Sequence, residues 1–512
     1  MNKIKKILVV ILAVMVMTFS FAACGSSTSS STSSASSKTT SSSSDASDTT
    51  VKGLVTVDYS SRDQDASYDE SSATKVTLSD ESYTITKEGT YIFTGTLKDG
   101  QIIVDAADTA KVQIVLNGVT VTSSDGPAIY VKSADKVFLT LADGTTNTIS
   151  DSSSYASTYT SANQPWAAIF SKCDLTINGS GSLVVNGNYQ NGIVSKDDLK
   201  ICGGTIKVTA VKNGIKGTDS VGILKGTITV NAKHDGIKSS NTKDGKGYVS
   251  INGGKVTITG VSSQGVQASN VFQITAGTLK ITSSNEGVQA AQLLVAGGTT
   301  TITSSDDGLN ATNGTSSSQG MMDSAQDGVY IKITGGKLNI SAQGDGVDSN
   351  GDLYVSGGTT IVQGPENDGN GPIDYQGSSK ITGGTFIAIG SSGMAQNFGD
   401  NSTQASLLYN GSSYSSGTTV TLTDSDGNKI ASVKSTVKFA SVLISTPKMA
   451  KGTTYTLKLG SDSESCKMSS LVTTIGSTGM GGGGMGGGQM GGGGPGGSGG
   501  FSGGGKPGSQ SN

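Results

Sequence analysis

A parallel β-helix is the fold class that this sequence predicts, and three observations carry the prediction. Glycine supplies 75 of the 512 residues and only 15% of positions are charged, a composition unlike that of a helical protein of this length. Short runs such as TIKVTA, TITVNA, KVTITG and TLKITS alternate apolar with polar residues and are rich in β-branched side chains, the pattern of strands. Most informative is a corner motif, an acid or amide followed by glycine and an aliphatic. It recurs at Asn191-Gly192-Ile193, Asn213-Gly214-Ile215, Asp235-Gly236-Ile237, Gln264-Gly265-Val266, Glu286-Gly287-Val288, Asp307-Gly308-Leu309 and Asp345-Gly346-Val347. Its glycines step by 22, 22, 29, 22, 21 and 38 residues. A leucine-rich repeat of similar period would show a Leu-x-x-Leu-x-Leu frame, and a propeller blade needs roughly 40 residues.

Taken in chain order, residues 1–24 read as an export signal. A basic start, MNKIKK, precedes an apolar run and then Phe21-Ala22-Ala23-Cys24-Gly25, a bacterial lipobox pattern that makes Cys24 the expected lipidation site. Residues 25–51, rich in Ser and Thr, can bury almost nothing and are expected to act as a tether. Anchored cysteine and tether together predict an extracellular protein touching the membrane through its lipid only. From residue 52 to about 100, YTITKEGTYIFTGTLKDG predicts strands that cap the first coil, whose open edge would otherwise expose unpaired backbone.

Each repeat then holds three short strands: the corner, a short apolar pair such as Val221 and Ile223, and a run following a glycine pair. Gly203-Gly204, Gly253-Gly254 and Gly335-Gly336 are such pairs, and glycine suits corners that demand positive φ. Echoes of the corner at Ala128-Ile129, Ala168-Ile169 and Ile373-Asp374 extend the array to about a dozen coils. Stacked about 4.8 Å apart, they make a rod on the order of 50–60 Å long. The β-helical domain, with its N-terminal cap, is thus placed at 52–403. Residues 404–475, including GTTVTLTDSDGNKIASV and KGTTYTLKLG, predict an antiparallel β region, and the Gly/Met-rich tail 476–512 is expected to be disordered.

In such a stack equivalent residues lie above one another. The position after the corner aliphatic reads Val194, Lys216, Lys238, Gln267, Gln289, Asn310, Asp348 and Asp374: basic, then amide, then acidic. The residue before each glycine adds Asp235, Glu286, Asp307 and Asp345. The acidic end predicts a calcium site, because calcium takes six to eight oxygen ligands and no cysteine or histidine competes there. Asp307, Asn310, Asp345, Asp348 and Asp374 are the chosen ligands, from a pool that also holds Asp306, Asp327, Asp352 and Asp368. Lys216, Lys238, Gln267 and Gln289 are the candidate contacts for a carboxylated ligand.

Other functions find less support. A formal net charge of −3 lacks the basic footprint of a nucleic-acid binder. No G-x-S-x-G, H-E-x-x-H or P-loop is present, so no catalytic residue is assigned. The one histidine, His234, occupies a corner position where other coils carry Lys212, Ser263 and Asn285, which argues against a catalytic role. Cys173, Cys202 and Cys466 form no disulfide framework or zinc pattern and read as small buried hydrophobes, with at most one bridge.

The segments EGTYIFTGTLKDGQIIVDA, VLNGVTVTSSDGPAIYVKSADKVFLTLADGTTNTISD and AAIFSKCDLTINGSGSLVVNGNYQNGIVSKDDLKICGGTIKVTAVKNGIKG closely resemble a family of clostridial cell-surface carbohydrate-binding proteins. That resemblance, over residues 52 to 400, implies a right-handed parallel β-helix similar to that of pectate-type lyases. It also implies binding of plant cell-wall polysaccharide (acidic pectin, or polygalacturonate, and cellulose) with calcium, by a protein expected to be monomeric. The corners KNGIKG and HDGIKSS fall on the family's repeated corners, whereas Cys173 and Cys202 depart from the repeat. Two alternatives remain open: a calcium-dependent pectate-type lyase with a lysine base, and a surface adhesin whose rod is a spacer.

Overall fold

The computed structural model describes residues 49–51, 53–159, 165–314 and 324–476; the signal, most of the tether and the tail beyond Gly476 lie outside these. The corner strands form a 12-stranded sheet from Tyr83–Ile85 to Ile373–Tyr375, every pairing parallel. The other two strands of each coil join a 24-stranded sheet, in which a bend separates two parallel stacks. Ser220–Ala232 runs through that bend as one strand, pairing with Tyr248–Ile251 before it and Lys255–Thr259 after it. This is the predicted β-helix.

The core follows from the alternation. Ile193, Ile215, Ile237, Val266, Val288, Leu309 and Val347 point inward from successive corners, and none is measurably exposed. They meet the inward ladders of both stacks in one continuous aliphatic cluster. Two kinds of glycine shape each coil, for different reasons. The second glycine at the bend (Gly204, Gly254, Gly336) has φ between +69° and +84°, as expected. The corner glycine does not have positive φ; it is required by close approach. A Cβ on Gly214 would stand 2.2 Å from Val230 Cγ1 and 2.7 Å from the Gly236 carbonyl oxygen.

The stretch expected to cap the rod does something else. Thr74–Leu78 and Gly89–Leu97 pair in parallel with each other and with Lys111–Thr122, so residues from 74 on already belong to coils. Residues 53–65 instead form a strap along the outside of the first stack, running against the direction of coil growth. The strap starts where Leu54 N–H donates to Gln273 Oε1 (2.8 Å). It passes Tyr59, whose hydroxyl donates to Asn252 Oδ1 (2.7 Å), and ends where Arg62 donates to Gln113 Oε1 (3.2 Å). Gly222 makes room for it, since a Cβ there would meet the Tyr59 hydroxyl at 2.9 Å.

Asp63 locks the strap. Its fully buried carboxylate meets Lys136 at 2.6 Å and Lys200 at 3.3 Å and accepts from Thr176 Oγ1 at 2.6 Å. Burial alone would raise its pKa, but these hydrogen bonds and ammonium groups outweigh that and hold it at about 2. At the other end the rod closes antiparallel: Thr385–Gly390 pairs with Phe439–Ser445, and a four-stranded antiparallel sheet spans Thr419–Thr423, Lys429–Lys434, Thr454–Leu459 and Asp462–Lys467. One pairing there is parallel, Ser406–Tyr414 with Val472–Gly476. Cys173, Cys202 and Cys466 are all free thiols.

Two outcomes test this account. Asp63→Ala leaves two largely buried ammonium groups unpaired and should lower stability by about 3–5 kcal/mol in urea unfolding; a loss under 1 kcal/mol would show that the strap does not depend on the pair. Gly214→Ala should cost about 1–3 kcal/mol through overpacking, unlike an alanine at the exposed Gly369, which has neither positive φ nor a close backbone neighbour.

Candidate functional site: the outer face of the corner sheet

Corner strands place alternate residues outward, and their register fixes which ones align. Lys216 pairs with Lys238, Lys238 with Gln267, Gln267 with Gln289, Gln289 with Asn310, Asn310 with Asp348 and Asp348 with Asp374. The structure thus aligns the whole sequence-derived series on one face. It also extends the series in the other direction, where Val194 pairs with Phe170 and Phe170 with Tyr130. The face runs from aromatic through basic and amide to acidic.

Beside this ladder runs a second one, from the residue preceding each glycine. Its side-chain oxygens accept backbone N–H groups of the next coil: Asn213 Oδ1 from Asp235, Asp307 Oδ1 from Asp345 (2.7 Å), and Asp345 Oδ1 from Gly371 (2.5 Å). The two ladders also touch. Lys238 Nζ lies 2.8 Å from Asp235 Oδ2, Gln289 Nε2 donates to Glu286 Oε2 at 2.9 Å, and Asn310 Nδ2 donates to Asp307 Oδ2 at 3.5 Å. His234 Nδ1 stands 3.0 Å from Asp235 Oδ1 and is half exposed, a neighbour of the ladder rather than a member.

At the acidic end one carboxylate oxygen each from Asp345, Asp348 and Asp374 lies within 4.8 Å of the other two. Asp307 and Asn310 stand one rung away. The Asn310 Oδ1 atom is buried without a hydrogen-bond partner, an acceptor aimed at nothing in the chain. Oxygen donors only, three of them anionic, and an orphaned amide oxygen suit a hard cation such as calcium. Burial pushes Asp348 up to about 8, helped by Asp307, Asp345 and Asp374; burial likewise raises Asp307 to about 7 and Asp345 to about 6. Asp352 is not part of this group: it lies on the other sheet, where it accepts from the Tyr354 hydroxyl at 2.5 Å.

The basic end lies far from this cluster. Four rungs separate Lys238 from Asp348 and six separate Lys216 from Asp374, so ~19 and ~29 Å at ~4.8 Å per rung. Burial, then Lys238, Lys196 and Lys212, lowers the pKa of Lys216. Sequence reasoning missed the residues next to it. Trp166, Phe170, Lys196 and Lys212 line a cavity of about 230 Å³ around Lys216. Carrying the same ladder two rungs toward the N-terminus, from Val194 to Phe170 and Tyr130, would have found the aromatic end.

A parallel β-helix with a graded corner face falls in the class of β-solenoid proteins. The chain belongs to the family described as "Carbohydrate-binding domain-containing protein", whose profile matches residues 79–328 and 273–446. A relative of that description from Acetivibrio thermocellus is 44% identical over 135 residues, which make up 26% of this chain and 47% of the relative. The chain therefore spans about half the length of that relative. Among solved structures, the polysaccharide lyase-like protein from C. thermocellum, in a gadolinium derivative, is similar at 35% identity and a TM-score of 0.40, over 48% of this chain and 97% of that one.

The raised carboxylates predict a pH dependence. A group whose pKa is higher folded than unfolded binds its proton more tightly in the native state, so stability is fullest below the unfolded pKa near 4 and declines as pH rises toward 8. Metal-free protein should therefore melt at a lower temperature at pH 8 than at pH 5, and calcium should restore more at pH 8. Asp348→Asn should raise metal-free stability at pH 8, on the order of 2–3 kcal/mol if half the displacement is relieved, and abolish the response to calcium. Differential scanning calorimetry at both pH values decides this; an Asp348→Asn protein that still gains from calcium would exclude Asp348 as a ligand.

Proposed function

We propose that the outer face of the corner sheet binds acidic plant cell-wall polysaccharide, polygalacturonate foremost and cellulose as a second polymer, with calcium held by Asp345, Asp348 and Asp374. In this reading Asp307 and Asn310 complete the cation site, while Lys216, Lys238, Gln267 and Gln289 contact the sugar chain. The protein acts outside the cell as a monomer, held to the membrane by lipid on Cys24. Carbohydrate-binding family membership supports the ligand class. The observation that carries the finer reading is the one-way charge gradient: cationic side chains at one end suit free carboxylates, and a cation among carboxylates at the other would bridge to them.

A lyase would need its base beside the cation that bridges the uronate carboxylates. The ladder's lysines stand ~19–29 Å from the aspartate cluster by rung count, so binding without bond cleavage is the better reading. Retention on polygalacturonate gel and insoluble cellulose, with and without chelator, tests the proposal. Wild-type protein should be retained on the pectic gel, chelator should release most of it, and Asp348→Asn should bind about tenfold more weakly in calcium only. Retention on neither polymer would leave the rod as a spacer, and steady release of unsaturated uronides would turn the reading toward a lyase.

A further inference from the structure

The groove over the corner sheet is closed at its aromatic end. Tyr130, Phe170 and Val194 are outward-pointing ladder residues, yet they are only 6%, 3% and 4% exposed. Among the described residues, Tyr159 packs against this cluster from outside the stack. The Tyr159 ring packs edge-on against Tyr130, with centroids 6.1 Å apart, and the Trp166 indole N–H donates to the Tyr159 carbonyl at 2.7 Å. From Lys216 to Gln289 the ladder side chains are partly exposed, so a polymer lying along them meets a wall here.

Immediately before that wall is the 230 Å³ cavity lined by Trp166, Phe170, Val194, Lys196, Lys212 and Lys216. At about 230 Å³ the space has room for a pyranose ring. Among the described residues no carboxylate lies within ion-pair distance of Lys196, Lys212 or Lys216. Three lysines line this one cavity with no carboxylate in ion-pair contact, Asp235 being the opposite charge that acts on Lys216, and the excess of positive charge suits an anion, while the apolar side of the cavity suits the carbon-rich face of a sugar.

We propose that this cavity is a cation-independent subsite for the terminal carboxylated sugar of a chain lying in the groove, with the ring beside Trp166 and the carboxylate among Lys196, Lys212 and Lys216. The inference rests on the carbohydrate-binding reading above and adds to it that the protein recognises a chain end and imposes one direction on the polymer. Internal sugars cannot fill the cavity, because the chain would have to pass through the covered rungs at Phe170 and Tyr130.

Trp166 is the only tryptophan of the chain, so its emission reports on this cavity directly. Full-length protein in chelator should show a saturable emission change with di- and trigalacturonate, and none with neutral glucose oligomers of the same length. At constant total sugar, the response should follow the number of chain ends and fall as chain length grows. Lys216→Met, which keeps the volume, and the exposed Lys212→Ala should each weaken it about tenfold, with unfolding midpoints close to wild type. The subsite is overturned if Trp166 stays silent to oligomers that calorimetry shows to bind. It is also overturned if the response follows sugar residues rather than ends, or if both lysine variants bind like wild type. Measuring gel retention on the same proteins separates the two claims. Retention with a silent Trp166 removes the subsite and leaves the groove, whereas a Trp166 response without retention does the reverse.

Discussion

In-register parallel pairing of one coil on the next is the constraint on which the rest of the structure depends. Each corner, stack and bend hands its backbone hydrogen bonds to the equivalent residue a coil away, about 4.8 Å along the rod. A position therefore sees its own kind above and below. Aliphatics stack into a continuous core, and polar residues at the corner can satisfy the next coil's amide, as Asp307 does for Asp345. Glycine is forced wherever a neighbouring coil's carbonyl comes too close for a Cβ, as at Gly214.

The same constraint concentrates charge. Residues that would be harmlessly spread over a globular surface are brought to one-rung spacing, so Lys216 faces Lys238 and Asp348 faces Asp374. Like charges held at that spacing resist ionisation, which is why burial and neighbouring carboxylates displace Asp307, Asp345 and Asp348 upward together. Lys238 pairs with Asp235 across the two ladders. The buried Asp63 shows the opposite balance, one carboxylate between two lysines, and it serves to fasten the strap. Electrostatic strain collects on the outer corner face, and compensated charge lies beneath the strap.

Chain that departs from the repeat has to leave the stack, and there it acquires specific roles. Tyr159, outside the stack, packs on the aromatic rung at Tyr130. The insertion after Ser240 is held by Asp219, which accepts from Asn241 and pairs with Lys246. The strap before residue 74 braces the first stack from outside. The regular coils supply the platform, and the irregular pieces decide where it is open.

Periodicity alone determined the fold class, the core ladder and the alignment of Lys216 through Asp374, because a period near 22 residues maps sequence offset directly onto stacking. It could not determine the N-terminal strap, since residues 53–65 touch coils up to 219 positions away and share no repeat with them. Nor could it separate corner glycines required by close approach from bend glycines required by positive φ, because both read as Gly beside an aliphatic strand. Which of the many aspartates converge was likewise a tertiary matter: Asp345, Asp348 and Asp374 meet because two coils stack, while Asp352, four residues after Asp348, turns onto another sheet. Local pattern set what each coil looks like. Distances between coils, and the chain that lies across them, were decided only by the packed structure.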